Sequence, residues 1–132
     1  MTAAGGAGAA ARVLVLMPTA RDSERTALLL GESGVQSTRC VDLSDLCREM
    51  RAGAGAVLLT DETLSLDTSG QLAEAMREQP TWSALPVLVV AREGWAHDVQ
   101  RATSDAFRSV IIVERPVRTR TLLSVVLSAL RS

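Results

Sequence analysis

Short apolar runs, spaced so that a helix fits between them, constrain this chain more than any other feature. Arg12-Val-Leu-Val-Leu-Met17, Ala56-Val-Leu-Leu-Thr60, Pro86-Val-Leu-Val-Val-Ala91 and Val110-Ile-Ile-Val113 are almost unbroken in apolar residues. Runs of that length and composition read as strands buried on both faces. Val35 to Val41 is a further strand, alternating and more polar, as suits a sheet edge.

The intervening segments predict helices. Residues 20–33 place Asp22 and Glu24 in the first turn, where the helix dipole favours carboxylates, with Ala27 to Leu30 as the buried face and Gly34 near the stop. Asp42 or Ser44 caps a second helix with Leu46, Cys47 and Met50 on its buried side; Arg51 to Gly55 ends it. Asp61 to Thr68 reads as a polar loop. Residues 69–79 read as a helix carrying Leu72, Ala75 and Met76, and Gln79 to Pro86 as a connector. Helices over 96–107 and 117–131 complete the pattern. Strand and helix alternate five times, which implies a parallel sheet covered on both faces. With right-handed crossovers the compact solution is an α/β fold, a doubly wound five-stranded parallel sheet of flavodoxin-like order 2-1-3-4-5. The 132 residues suit one domain over 12–131, after an Ala/Gly-rich disordered lead-in over 1–11.

Composition removes whole classes of function. All fourteen basic residues are arginine, and Lys, Tyr and Asn are absent. Schiff-base chemistry and Walker-type phosphate binding are therefore excluded. A net charge of −1 indicates no nucleic-acid stripe. His97, the single histidine, excludes a multi-histidine metal site and reads as a surface helix residue. Cys40 and Cys47 match no zinc spacing and are too few for a disulfide framework, so they read as buried thiols in a reducing cytoplasm. No run is long enough to span a membrane, and Met1 to Ala11 lacks the pattern of a signal peptide. The expectation is a cytoplasmic domain with no metal, no cofactor, no nucleic acid and no membrane contact.

In such a fold the site lies outside the carboxyl ends of the strands. Met17, Pro18 and Thr19 follow the first strand; Thr60, Asp61 and Glu62 the third; Ala91 and Arg92 the fourth; Glu114, Arg115 and Pro116 the fifth. Asp61 and Glu62 are either a residual cation or phosphate site, or a polar loop and helix cap. Arg115 is placed to reach Asp61 or Glu114, as a structural ion pair or as a phosphate sensor, and it cannot serve as a base. Thr19 and Thr60 have no activating base nearby, and Met17-Pro18-Thr19 cannot form a phosphate nest.

The layout over residues 12–131 resembles the receiver domain of bacterial two-component response regulators. The residues that carry the likeness are GAVLLTDE at the third strand, LPVLVVA at the fourth and VERPVRTRTLLSVV at the end. MPTARDSE, TWSALPVLVV and VERPVRTRTLLSVV are similar to receiver-like segments at the front of some sensor histidine kinases. The resemblance implies an acidic pair holding Mg²⁺ after the first strand and a phosphate-accepting aspartate after the third. It also implies Thr or Ser after the fourth and Lys before a cis proline after the fifth. These positions fall on Met17 and Pro18, on Thr60 (with Asp61 one place later), on Ala91, and on Arg115 before Pro116. Phosphoryl transfer depends on positioning and on cations that neutralise developing charge, and the implied Mg²⁺ ligands and lysine are missing. The chain is therefore expected to be a degenerate receiver, or pseudo-receiver, acting by protein–protein contact or dimerisation, inside a larger sensor histidine kinase. The alternatives are a phospho-accepting regulator that uses Asp61, and a small-molecule-binding flavodoxin-like domain.

The last helix carries a wide stripe of Leu122, Leu123, Val126, Leu127 and Leu130, with Val125 and Ala129 extending apolar character round the helix. A helix apolar beyond one face has either a broad core stripe or a second partner. Val125, Ala129 and Trp95 are the candidate interface residues, and the partner is a neighbouring sensor or kinase domain, or a second copy through the last helix and strand. Trp82 is expected to pack at a core edge, and Trp95 to lie exposed at the pocket rim.

Overall fold

The structure, a computed structural model, describes residues 11–80, 84–103 and 106–131. Residues 1–10 of the 1–11 lead-in and Trp82 lie outside the described residues. Strand β1 is Val13–Leu16, followed by α1 (Ala20–Glu32), β2 (Ser37–Arg39) and α2 (Leu43–Ala52). Then come β3 (Ala56–Thr60), α3 (Asp61–Ser65), α4 (Gln71–Arg77), β4 (Pro86–Ala91), α5 (Ala96–Thr103), β5 (Ser109–Glu114) and α6 (Thr119–Arg131). The five strands form one parallel sheet in the order β2-β1-β3-β4-β5, as the alternation of elements implies.

Every residue of β1, β3 and β4 is buried, because each has a strand on both sides and helices on both faces. Successive side chains alternate between the two faces. Leu14, Leu16, Val57, Leu59, Val87 and Val89 meet the side covered by α2, α4 and α5. Val13, Val15, Leu58, Leu88 and Val90 meet the side covered by α1 and α6. The two edge strands differ in character. β2 is polar and short, whereas β5 is apolar yet only half-buried over most of its length.

Local chemistry departs from the sequence reading at several points. The stretch 61–68 is not all loop: Thr60 accepts a hydrogen bond from the Thr63 N–H at 3.2 Å and nucleates α3, with Asp61 and Glu62 in its first turn. α4 starts at Gln71 rather than 69, since Gly70 turns with φ +76° and the Asp67 carboxylate accepts from the Leu72 N–H at 3.1 Å. The second strand is three residues rather than seven; Val35 packs in the core and Val41 is solvent-exposed. Asp42, not Ser44, caps α2, accepting from the Asp45 N–H at 2.8 Å, while Asp45 accepts from the Val41 N–H at 2.8 Å in return. On α1 only Ser23 and Leu30 are buried, and Leu28, expected in the core, faces solvent. On α6 the buried line is Val126 and Ala129, three residues apart on one face. Ala129 therefore belongs to the core and cannot contribute to an interface.

Candidate functional site at the carboxyl edge

β3, β4 and β5 end side by side, with Thr60 paired to Val90 and Ala91 to Glu114. This register brings the residues just after each strand within side-chain reach. Asp61, the first residue of α3, is only 3% exposed. Its Oδ2 accepts from Arg92 twice, from Nε at 2.9 Å and from the backbone N–H at 3.3 Å. Its Oδ1 accepts from Arg115 Nη2 at 3.2 Å. Arg115 Nη2 also donates to Glu62 Oε1 at 2.5 Å, and Glu62 Oε2 lies 4.0 Å from Arg92 Nε. Two guanidinium groups and two carboxylates thus form one closed, neutral network across three strand ends.

Burial pushes the Asp61 carboxyl up, but the hydrogen bonds and charge of Arg92 outweigh it, so the group stays below the usual carboxylate value. Arg115 moves upward, held chiefly by its bond to Glu62. The remaining edge residues have structural duties. Thr60 is buried; its hydroxyl bonds to Thr63 Oγ1 at 3.0 Å as well as capping α3. The Met17 N–H donates to Ser23 Oγ at 3.0 Å, and Thr19 caps α1 by accepting from the Asp22 N–H at 3.1 Å. Ala91 is fully buried, and its carbonyl accepts from the Arg115 N–H at 2.8 Å. The Arg115–Pro116 bond is cis, as the resemblance implies.

Met17 and Pro18 open onto a different space, a cleft of about 290 Å³ between the end of β1 and the start of α2, bordered also by Leu43, Thr63 and Leu66. The network and this cleft are distinct parts of one edge. Trp95 is 43% exposed, and the Arg92 guanidinium lies over its ring, 3.9 Å from the centroid. Glu114, a candidate partner for Arg115, instead accepts from the Gly94 N–H at 2.9 Å and the Ala96 N–H at 3.4 Å, which caps α5 from the neighbouring strand. Arg92 is the network residue that pattern reading undervalues. Its only sequence signal is an arginine placed immediately after a fully apolar strand.

An open parallel sheet with helices on both faces and a polar cluster beyond its carboxyl ends defines the doubly wound class of α/β domains. Comparison with solved structures narrows the class. The chain matches a CheY-like response regulator receiver domain from Methylobacillus flagellatus at 18% identity and a TM-score of 0.66, over 89% of this chain and 97% of that one. It matches a response regulator receiver domain protein from Clostridium thermocellum at 15% identity and a TM-score of 0.71, over 91% and 94%. A third match, also from Clostridium thermocellum, is the signal receiver domain of a two-component histidine kinase, at 15% identity and a TM-score of 0.64, over 92% and 98%. The chain therefore has the receiver fold. No family model matches it, and comparison with curated proteins finds no relative.

The residues present do not fit the Mg²⁺ that the receiver fold implies. A hard divalent cation needs several oxygen ligands around an open position. Met17 and Pro18 offer no side-chain oxygen, and the oxygens of Asp61 and Glu62 already face two guanidinium groups. Among the described residues no three His, Cys, Asp or Glu side chains are grouped to hold a metal ion. Chemically, the network can fix positions, since each of its two carboxylates faces both guanidinium groups.

Proposed function

We propose that this domain is a degenerate receiver of bacterial two-component signalling, one that works by protein–protein contact without aspartyl phosphorylation. The observation that carries the reading is the carboxylate of Asp61, buried and held by Arg92 and Arg115 where a phospho-acceptor would have to meet a metal ion and a phosphodonor. An attacking carboxylate oxygen must be free to approach phosphorus in line, and both oxygens of Asp61 are engaged. Thr60, one place earlier, spends its hydroxyl on capping α3.

The surface that would meet a partner is the β5 edge with the outer side of α6. β5 keeps Val110, Ile111, Ile112 and Val113 half-exposed. Leu123 and Leu127 line an open apolar groove along α6, beside Thr119, Arg120 and Ser124. A half-exposed apolar edge strand and an open apolar groove each favour association. We infer a homodimer, or a neighbouring sensor or kinase domain, on this face, and a place inside a larger histidine kinase in the cytoplasm. The similar receiver domain described as part of a histidine kinase supports that setting. Among the described residues no helix is long and apolar enough to cross a membrane. On this reading the domain is a binding module rather than an enzyme. Sedimentation velocity with and without acetyl phosphate and Mg²⁺ tests the proposal. The expected result is one association state in both; a phosphodonor-dependent shift would overturn it.

A further inference from the structure

We propose that the network of Asp61, Glu62, Arg92 and Arg115 is a permanent latch that fixes the segment between β4 and α5, and with it the exposed Trp95, in one position. The inference rests on the degenerate-receiver reading for its purpose, since a receiver that is never phosphorylated must hold its surface with its own side chains.

The segment is tied from two sides. From the β3 side, Asp61 Oδ2 grips both the backbone N–H and the side chain of Arg92, so one carboxylate oxygen fixes the main chain and the guanidinium of the same residue. That guanidinium lies over the Trp95 ring, and the Trp95 N–H donates to the Arg92 carbonyl at 2.9 Å. From the β5 side, Glu114 Oε2 collects the N–H groups of Gly94 and Ala96. Gly94 adopts φ +86°, a conformation that other residues resist, so both N–H groups turn toward a single oxygen. Arg115 then closes the ring by joining Asp61 to Glu62. The charges balance within the network, so no ion or ligand is needed to complete it.

Trp95 reports on the latch directly. With Trp82→Phe as background, it is the sole tryptophan. Asp61→Asn is compared with the background protein by acrylamide quenching of Trp95 and by amide hydrogen exchange, with no phosphodonor present. The expected result is stronger quenching and exchange about tenfold faster at Gly94, Trp95 and Ala96, the factor for one lost hydrogen bond. Core amides such as Leu58 and Val87 should keep their rates. Glu114→Ala should speed Gly94 and Ala96 while leaving the Asp61 pairs in place. If Asp61→Asn does not fold, Arg92→Gln replaces it, because that side chain is half-exposed. Unchanged quenching and exchange in these variants would overturn the latch, and so would acceleration spread evenly through the core. Neither outcome depends on whether Asp61 accepts phosphate, so failure of the latch and failure of the degenerate-receiver reading are separately visible.

Discussion

Replacing Asp61 with Ala tests whether this carboxylate holds the sheet edge together. The carboxylate receives three donors: Arg92 Nε, the Arg92 N–H and Arg115 Nη2. Hydrogen bonds to charged groups contribute about 1.5–3 kcal/mol each when both partners are buried. Here the two arginine side chains are 41% and 38% exposed, so each recovers water when the carboxylate is lost. The substitution also removes the cost of desolvating a carboxylate. These offsets leave a net loss of about 2 kcal/mol, or a Tm lower by about 8 °C for a domain of this size. Thermal unfolding by circular dichroism at pH 7 measures it. The folded-state pKa of Asp61 lies below its unfolded value. Its contribution is therefore complete above about pH 4, the ordinary aspartate range, and fades as pH falls through the lower folded value. The difference in Tm between the two proteins should hold from pH 7 to about pH 4 and shrink in stronger acid. An Asp61→Ala protein as stable as the parent at pH 7, or a difference that grows on acidification, would mean that the carboxylate does not hold the edge.

Three further outcomes follow from other parts of the structure. Asp42→Ala removes the cap of α2 and should cost about 1 kcal/mol, seen as a fall in Tm of about 4 °C; no fall would mean that Asp45 alone sustains the helix start. Cys40 is pushed up to about 12 by burial, and burial also raises Cys47. Both thiols should therefore resist Ellman's reagent in the native protein at pH 8 and react fully in denaturant; fast native labelling of either would contradict their burial. Leu127→Arg places a charge in the apolar groove of α6 and should give a folded monomer in light scattering; an unchanged association state would remove that groove from the interface.

The central strands were legible in the sequence because burial on both faces demands unbroken apolar runs, and β3 and β4 have them. The strand order followed from alternation and crossover handedness. The network itself was only half legible. Arg115 and Asp61 stood out as edge residues, but the pairing of Asp61 with Arg92 as well as Arg115 depends on the register of β3, β4 and β5, which no local pattern records. α3 was masked because Thr60-Asp61-Glu62 resembles a polar loop; a threonine cap with acids in the first turn was the signal for a short helix. Ala129 was misplaced because the apolar stripe of α6 covers more than half its circumference, so spacing alone does not fix which line faces the sheet. The same width leaves Leu123 and Leu127 half-buried, packed against the core on one side and lining the open groove on the other.

Intact-mass spectrometry after incubation with acetyl phosphate and Mg²⁺, with Asp61→Ala as control, asks whether this domain accepts phosphate. A carboxylate held by Arg92 and Arg115, with no metal ligands from Met17 or Pro18, should gain no phosphoryl group, and the two proteins should show unmodified masses. A phosphoryl adduct present in the parent and absent from Asp61→Ala would contradict the claim and make this domain a working phospho-acceptor.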